Sequence, residues 1–162
     1  MTRCYLLFGS NQGDPKLLLE QACSLINIRC GQVAERSRAY LSEPWGFEAD
    51  RWFLNALLVI DTELDPDTLM DRLLEIEKEL GRVRHPEKKG YSSRTVDLDI
   101  LYYGDQVVCT EKVTAPHPRL HERRFALVPL CELIPDFIHP VLGKTQSKLL
   151  EICRDSGKVE PI

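Results

Sequence analysis

Along "SRTVDLDILYYG", Val96, Leu98, Ile100 and Tyr102 recur at every second position. This is the period of a β-strand with one face in a core. The opposite face begins with two carboxylates, Asp97 and Asp99. Other stretches of the chain alternate between strand and helix patterns. "RCYLLF" (Arg3 to Phe8) reads as a short apolar strand stopped by the turn "GSNQGD". Asp14 and Pro15 predict an N-cap and first helical position, and Leu18, Leu19, Ala22, Leu25 and Ile26 form a helical stripe to about Ile28. "QVAERSRAYL" predicts one half-buried strand, "SEPWGFEADR" a loop, and "WFLNALLVIDTEL" a nearly continuous apolar strand. Asp65 and Pro66 open a second helix, with Leu69, Leu73, Ile76 and Leu80 on one face and Gly81 at its end. A basic loop leads to the aspartate strand, and "GDQVV" predicts a hairpin partner for it around Val107 and Val108. "RLHERRFALVPLCEL" and "TQSKLLEICRDSG" are the remaining helical segments. The order β-α-β-β-α-β predicts a ferredoxin-like α+β sandwich, a mainly antiparallel sheet flanked by helices, with C-terminal additions.

The length suits one domain spanning residues 1–162, with no linker, internal repeat or low-complexity tract. A formal net charge of −4 argues against a dedicated nucleic-acid binder. No apolar run is long enough to span a bilayer or to serve as a secretory signal. Six scattered cysteines without a Cys-x-x-Cys pair read as reduced core thiols, which points to the cytoplasm.

The acidic pair changes this picture. Residues two apart on a strand stand ~6.5–7 Å from one another. At an effective dielectric of about 20, two charges at that distance repel by roughly 2–3 kcal/mol. A solvated sheet face would tolerate them. Immediately upstream, however, "GRVRHPEKKGYSSR" carries Arg82, Arg84, Lys88, Lys89 and Arg94. Paired hard oxygens bind Mg²⁺, which keeps waters and completes its shell with substrate phosphates. Arginines bind the remaining phosphate oxygens. Cations and carboxylates together favour a magnesium–polyphosphate site over a wet loop beside a wet strand.

Three further features bear on chemistry. Glu77 lies between Leu73 and Leu80 at helical spacing, bordering the apolar stripe, where a snorkelling edge residue would also sit. Asn55 interrupts "WFLNALLVI"; a buried amide needs partners, either backbone or a flat heterocycle. "APHPRLHERRF" supplies His117, Arg119, His121, Arg123 and Arg124. Its His-x-x-x-His spacing is a poor zinc motif, because Pro118 disturbs a shared helix and no acid lies between the histidines. A second phosphate cluster fits better, with His117 as donor and Arg123 as fixed cation. "GSNQG" lacks both phosphate-loop signatures and reads as a structural turn.

Taken in order, "GSN", "EPWGF", "FLNA", "GRVR", "SRTVDLDILYYG" and "PHPRLHERRFAL" resemble the motifs of the 6-hydroxymethyl-7,8-dihydropterin pyrophosphokinases of folate biosynthesis, over nearly the whole chain. The resemblance implies a monomer that transfers pyrophosphate from ATP to the pterin hydroxymethyl group and releases AMP. It implies that Asp97 and Asp99 hold two Mg²⁺ and that Arg82 and Arg94 steady the transferring charge. It implies ATP contacts from Glu77, Arg84, Ile100, Lys112, Thr114, His117 and Arg123. Ser42, Glu43, Pro44, Trp45, Phe53, Asn55, Tyr91 and Phe125 fall on its pterin-binding positions. The chain departs from the family pattern at three points. "GYSSR" stands where many relatives have Trp-Gly-Pro-Arg, Phe53 where tyrosine is common, and Lys112 where some have arginine. Rival readings are an Asp-x-Asp nucleotide-sugar transferase and a non-enzymatic ferredoxin-like ligand-binding module. The first expects a longer nucleotide-binding domain, and the second leaves the acidic pair unexplained.

Overall fold

The computed structural model describes residues 1–44, 51–81 and 95–162. β1 (Thr2–Ser10) lies inside the main sheet, antiparallel to β4 (Phe53–Thr62) on one side and β5 (Asp97–Tyr103) on the other. β2 (Gln32–Arg36) and β3 (Tyr40–Ser42) both pair antiparallel with β4, and β8 (Val159–Pro161) adds to β3. The order β5-β1-β4-β3-β8, with β2 beside β4, is the ferredoxin-like arrangement expected from the element order.

The single strand predicted from "QVAERSRAYL" exists as two pieces. Between the pairs Arg36–Leu58 and Tyr40–Asn55, the outer chain advances four residues while β4 advances three. Ser37 absorbs the extra residue. Its N–H donates to the Leu57 carbonyl at 2.9 Å, and its hydroxyl oxygen accepts the Leu57 N–H at 2.8 Å, standing in for a ladder carbonyl.

Both predicted helices begin where their caps require. Asp14 accepts the Leu17 N–H to open α1 (Pro15–Arg29). Asp65 accepts the Thr68 N–H at 2.8 Å to open α2 (Pro66–Glu79), and Gly81 follows it at φ +99°, a conformation open to glycine. These helices cover one sheet face, burying Cys4, Leu6, Phe8, Leu54, Ala56, Leu58, Ile60, Val96, Leu98 and Ile100. α3 (Arg124–Leu133) and α4 (Gln146–Ile152) cover the other, over Tyr5, Leu7, Leu57 and Val59. With both faces covered, the inner strands need apolar residues at successive positions, which explains their unbroken hydrophobic runs.

Tyr102 departs from the predicted alternation. Tyr5 pairs with Tyr102 and Leu6 with Ile100, so Leu101 has no counterpart on β1. This bulge turns Tyr102 onto the α3/α4 face, away from Val96, Leu98 and Ile100. There it is fully buried, edge-on to Tyr5 and 4.8 Å from the Phe137 ring centroid, and its hydroxyl donates to Gln146 Oε1 at 3.0 Å. Burial raises its phenol pKa.

The predicted hairpin partner of β5 is also redirected. Gly104 sits at φ +56° with its N–H on the Arg3 carbonyl, and only Gln106 bridges back to Tyr103. β6 (Val108–Cys109) pairs instead with β7 (Thr114–Ala115) in a separate two-stranded sheet. The segment "RLHERRFALVPLCEL" divides into a 3₁₀ turn, Leu120–Glu122, and α3. β8 was not predicted: it is short, exposed and contains Pro161.

The core makes a direct test. Phe8 is fully buried between β1 and the α1/α2 layer. Phe8→Ala should cost about 3–5 kcal/mol, read as a lowered urea midpoint with an unchanged slope.

Candidate active site

Directly opposed residues of antiparallel strands share a sheet face. On the α3/α4 face, one row across the sheet therefore reads Asp97, Gly9, Asn55, Tyr40. The next row, one step toward the helices, reads Asp99, Leu7, Leu57. In the other direction Phe53 follows Asn55 on β4, opposite Ser42. The polar row begins where the apolar layer beneath α3 and α4 ends.

Gly9 separates Asp97 from the amide. A Cβ there would lie 3.0 Å from Asn55 Nδ2 and 4.0 Å from Phe53 Cδ1, so the missing side chain leaves the floor of the site open. Sequence reasoning took "GSN" as a turn and missed this role. The available signal was a glycine inside a strand pattern, which marks a place where another group approaches the backbone.

Asn55 is 3% exposed and locked at both ends of its amide. Nδ2 donates to the Phe8 carbonyl at 3.2 Å, and Oδ1 accepts the Ser42 hydroxyl. An amide has two N–H donors and an acceptor with two lone pairs. The fixed rotamer therefore presents a preset donor–acceptor edge. On the next row position, the Tyr40 hydroxyl donates to Glu132; burial first, then that carboxylate, pushes its phenol up to about 12.

Asp97 and Asp99 are both partly buried on β5, an edge strand. Between them the Leu98 N–H donates to Glu77 Oε2 at 2.9 Å, and Glu77 is 2% exposed. Glu77 is thus no snorkelling edge residue; it satisfies an edge N–H and fixes the strand segment bearing both acids.

His117 is held on both sides. Its backbone N–H donates to Leu101 O at 2.9 Å, and its Nδ1 accepts the Arg119 N–H at 3.1 Å. A neutral ring whose Nδ1 accepts carries its proton on Nε2. Burial, then the Arg123 cation, pushes the imidazole down to about 4, against an opposing pull from Asp97. These influences place His117, Arg123 and Asp97 in one electrostatic neighbourhood. Arg123 is buried, with Cζ 5.7 Å from the ring centroid of Phe125, the second residue of α3.

The other expected residues are more dispersed. Lys112 is half exposed and paired with Asp71 of α2 at 2.9 Å, which raises its ammonium pKa. Thr114 is exposed on β7. The Ile100 side chain lies in the core beneath α1 and α2, leaving only its backbone for any ligand. Glu43 and Pro44 are partly exposed just beyond β3. Trp45, Arg82, Arg84, Tyr91 and Arg94 lie outside the described residues.

Two carboxylates on one strand face fit a hard cation. Among the described residues no group of three or more His, Cys, Asp or Glu side chains assembles a metal cage. The remaining coordination positions would fall to water and phosphate oxygens, the shell that Mg²⁺ favours.

Fold and site define an α+β domain that sets an acidic pair and a locked amide on one sheet face. The family model described as 7,8-dihydro-6-hydroxymethylpterin-pyrophosphokinase matches residues 5–135, and the chain belongs to that family. A 2-amino-4-hydroxy-6-hydroxymethyldihydropteridine pyrophosphokinase of Methylorubrum extorquens is 40% identical over 97% of both chains. The Bacillus subtilis protein of the same name is 39% identical over 80% of this chain and 76% of its own. A Plasmodium falciparum HPPK-DHPS structure superposes with a TM-score of 0.77 at 17% identity, over 93% of this chain and 45% of that longer one. That likeness concerns the fold.

The histidine supplies a prediction. Burial, then the Arg123 cation, lowers its pKa on folding from the ordinary 6.5 to about 4. Stability drawn from the neutral ring is complete above pH 6.5 and is lost as pH falls toward 4. Nitrogen-15 NMR should find His117 protonated on Nε2 alone from pH 5.5 to 8. A midpoint near 6.5 would contradict the assignment.

Proposed function

We propose that this pyrophosphokinase transfers the pyrophosphoryl group of ATP to the 6-hydroxymethyl group of 7,8-dihydropterin, with Asp97 and Asp99 holding two Mg²⁺. One observation carries the reading: Asp97 and the locked Asn55 amide lie on one sheet row with Gly9 between them, and Asp99 stands on the same face one row further toward the helices. Two ligands seated there, one anionic and one heterocyclic, meet edge to edge.

Asn55 reads the pyrimidinone edge of the pterin, whose neighbouring donor and acceptor match an amide. Phe53 and Phe125 stack on its ring, and Ser42, Glu43, Pro44, Trp45 and Tyr91 shape the surrounding loops. Phe53, lacking a hydroxyl, stacks without adding a hydrogen bond. His117 donates from Nε2 to a phosphate oxygen, and Arg123 supplies a fixed charge beside it. Arg84, Glu77, Thr114, Lys112 and the Ile100 backbone hold the rest of ATP. Magnesium, when bound, neutralises the acidic pair and polarises the phosphates. The pterin oxygen attacks the β-phosphorus, the bond to the bridging α–β oxygen breaks, and AMP leaves. The hydroxyl proton passes to Asp97 or to water. Arg82 and Arg94 stabilise the charge that develops, so positioning and electrostatics supply the catalysis. The enzyme acts as a monomer on ATP and the dihydropterin, without nucleic acid or membrane. All six cysteines are free thiols, in keeping with a reducing cytoplasm.

AMP release should require ATP, dihydropterin and Mg²⁺ together. Release without the pterin would instead favour a different transferase. Asp97→Ala or Asp99→Ala should lower turnover about a hundredfold or more while the fold persists. Wild-type turnover in either variant would overturn the metal assignment. Arg94→Ala should reduce kcat far more than ATP affinity, the signature of an interaction made in the transition state. Equal losses would make Arg94 a ground-state contact.

A further inference from the structure

The residues that follow α4 join the two walls of the site. α3 begins at Arg124, and its N-cap residue, Arg123, makes no side-chain cap. A helix start has free N–H groups that need acceptors. Asp155, 31 residues downstream, supplies one: its Oδ2 accepts the Arg124 N–H at 3.0 Å. Its Oδ1 accepts the Gly157 N–H at 2.9 Å, turning the chain toward β3. Lys158 then closes a reciprocal pair with Glu43. The Lys158 N–H donates to Glu43 Oε1 at 2.8 Å, and the Glu43 N–H donates to the Lys158 carbonyl at 3.1 Å. Val159 pairs with Ser42, whose hydroxyl binds Asn55.

Four residues, Asp155 to Lys158, therefore run from the helix turn bearing Phe125 to the strand end bearing Ser42 and Glu43. The far end of α3 has a separate anchor. There Glu132 accepts the Arg38 N–H and the Tyr40 hydroxyl. Only the Asp155 end sits beside Phe125.

We infer that Asp155 is a positioning residue for the heterocycle: through this strap it sets the gap between the Phe125 wall and the Ser42–Glu43 wall. The inference rests on the proposed function and names a determinant of its pterin half. The ATP half is braced otherwise. The Arg123 N–H donates to Leu120 O, and His117 is tied to Leu101.

The test uses the full chain and steady-state AMP release, with each substrate varied in turn. Asp155→Ala should raise KM for the dihydropterin about fivefold, the loss expected for a removed helix cap. KM for ATP and kcat at saturating pterin should stay within about twofold. Asp155→Asn keeps one acceptor oxygen and should recover most of the loss. Glu43→Ala, at a partly exposed position, should raise the same KM. The double variant should do no more than the larger single, because both cut one strap. If Asp155→Ala fails to fold, Asp155→Asn and Glu43→Ala carry the comparison. An unchanged pterin KM in folded variants, or equal rises in both KM values, would overturn the inference. A wild-type chain that releases no pterin-dependent AMP would instead refute the proposed function.

Discussion

Like charges held close on a rigid strand govern this molecule. Asp97 and Asp99 cannot move apart without breaking the pairing of β5 to β1, and Glu77 fixes the segment between them. A flexible loop would relieve the repulsion by rearranging; a strand cannot. The repulsion is therefore kept available for a cation, which in the proposed function arrives with the triphosphate. The rest of the site follows from where this pair lies. Asp99 shares the row of Leu7 and Leu57, and Asp97 the next, where the α3/α4 layer stops, so one side of the pair meets apolar packing and the other meets the open floor over Gly9.

That floor shows how a fold with two covered faces makes room for ligands. β1 carries Leu7 under the helices and Gly9 beyond them; β4 carries Leu57 and then Asn55 and Phe53. Each strand changes within two positions from a residue packed under the helices to one lining the open floor. The amide is buried yet fully specified, because Ser42 and the Phe8 carbonyl fix its orientation. Preset hydrogen-bonding groups cost little reorganisation on binding. The neutral His117 ring follows the same logic, its tautomer set by the Arg119 N–H.

Much of this was legible in the sequence, for local reasons. Asp14-Pro15 and Asp65-Pro66 are signals whose physics acts within one helical turn, and both helices start there. The acidic pair and the lone Asn55 stood out because they broke apolar patterns. What sequence reading missed depends on register. The bulge at Leu101 that reverses Tyr102, the extra residue at Ser37 and the choice of β7 as partner for β6 are settled between strands, not within one. Gly9 has meaning only once Asn55 stands opposite it. Asp155 caps a helix 31 residues before it, a distance no local pattern reveals.

The central claim of the proposed function is that one sheet face seats both substrates in reacting contact. The most direct measurement is the separation between the hydroxymethyl oxygen and the β-phosphorus in a crystal structure with a non-hydrolysable ATP analogue, Mg²⁺ and the pterin. The account predicts about 3–3.5 Å, with the ring over Gly9 and the ions on Asp97 and Asp99. A pterin seated away from Asn55, or both carboxylates facing bare solvent beside bound nucleotide, would contradict it.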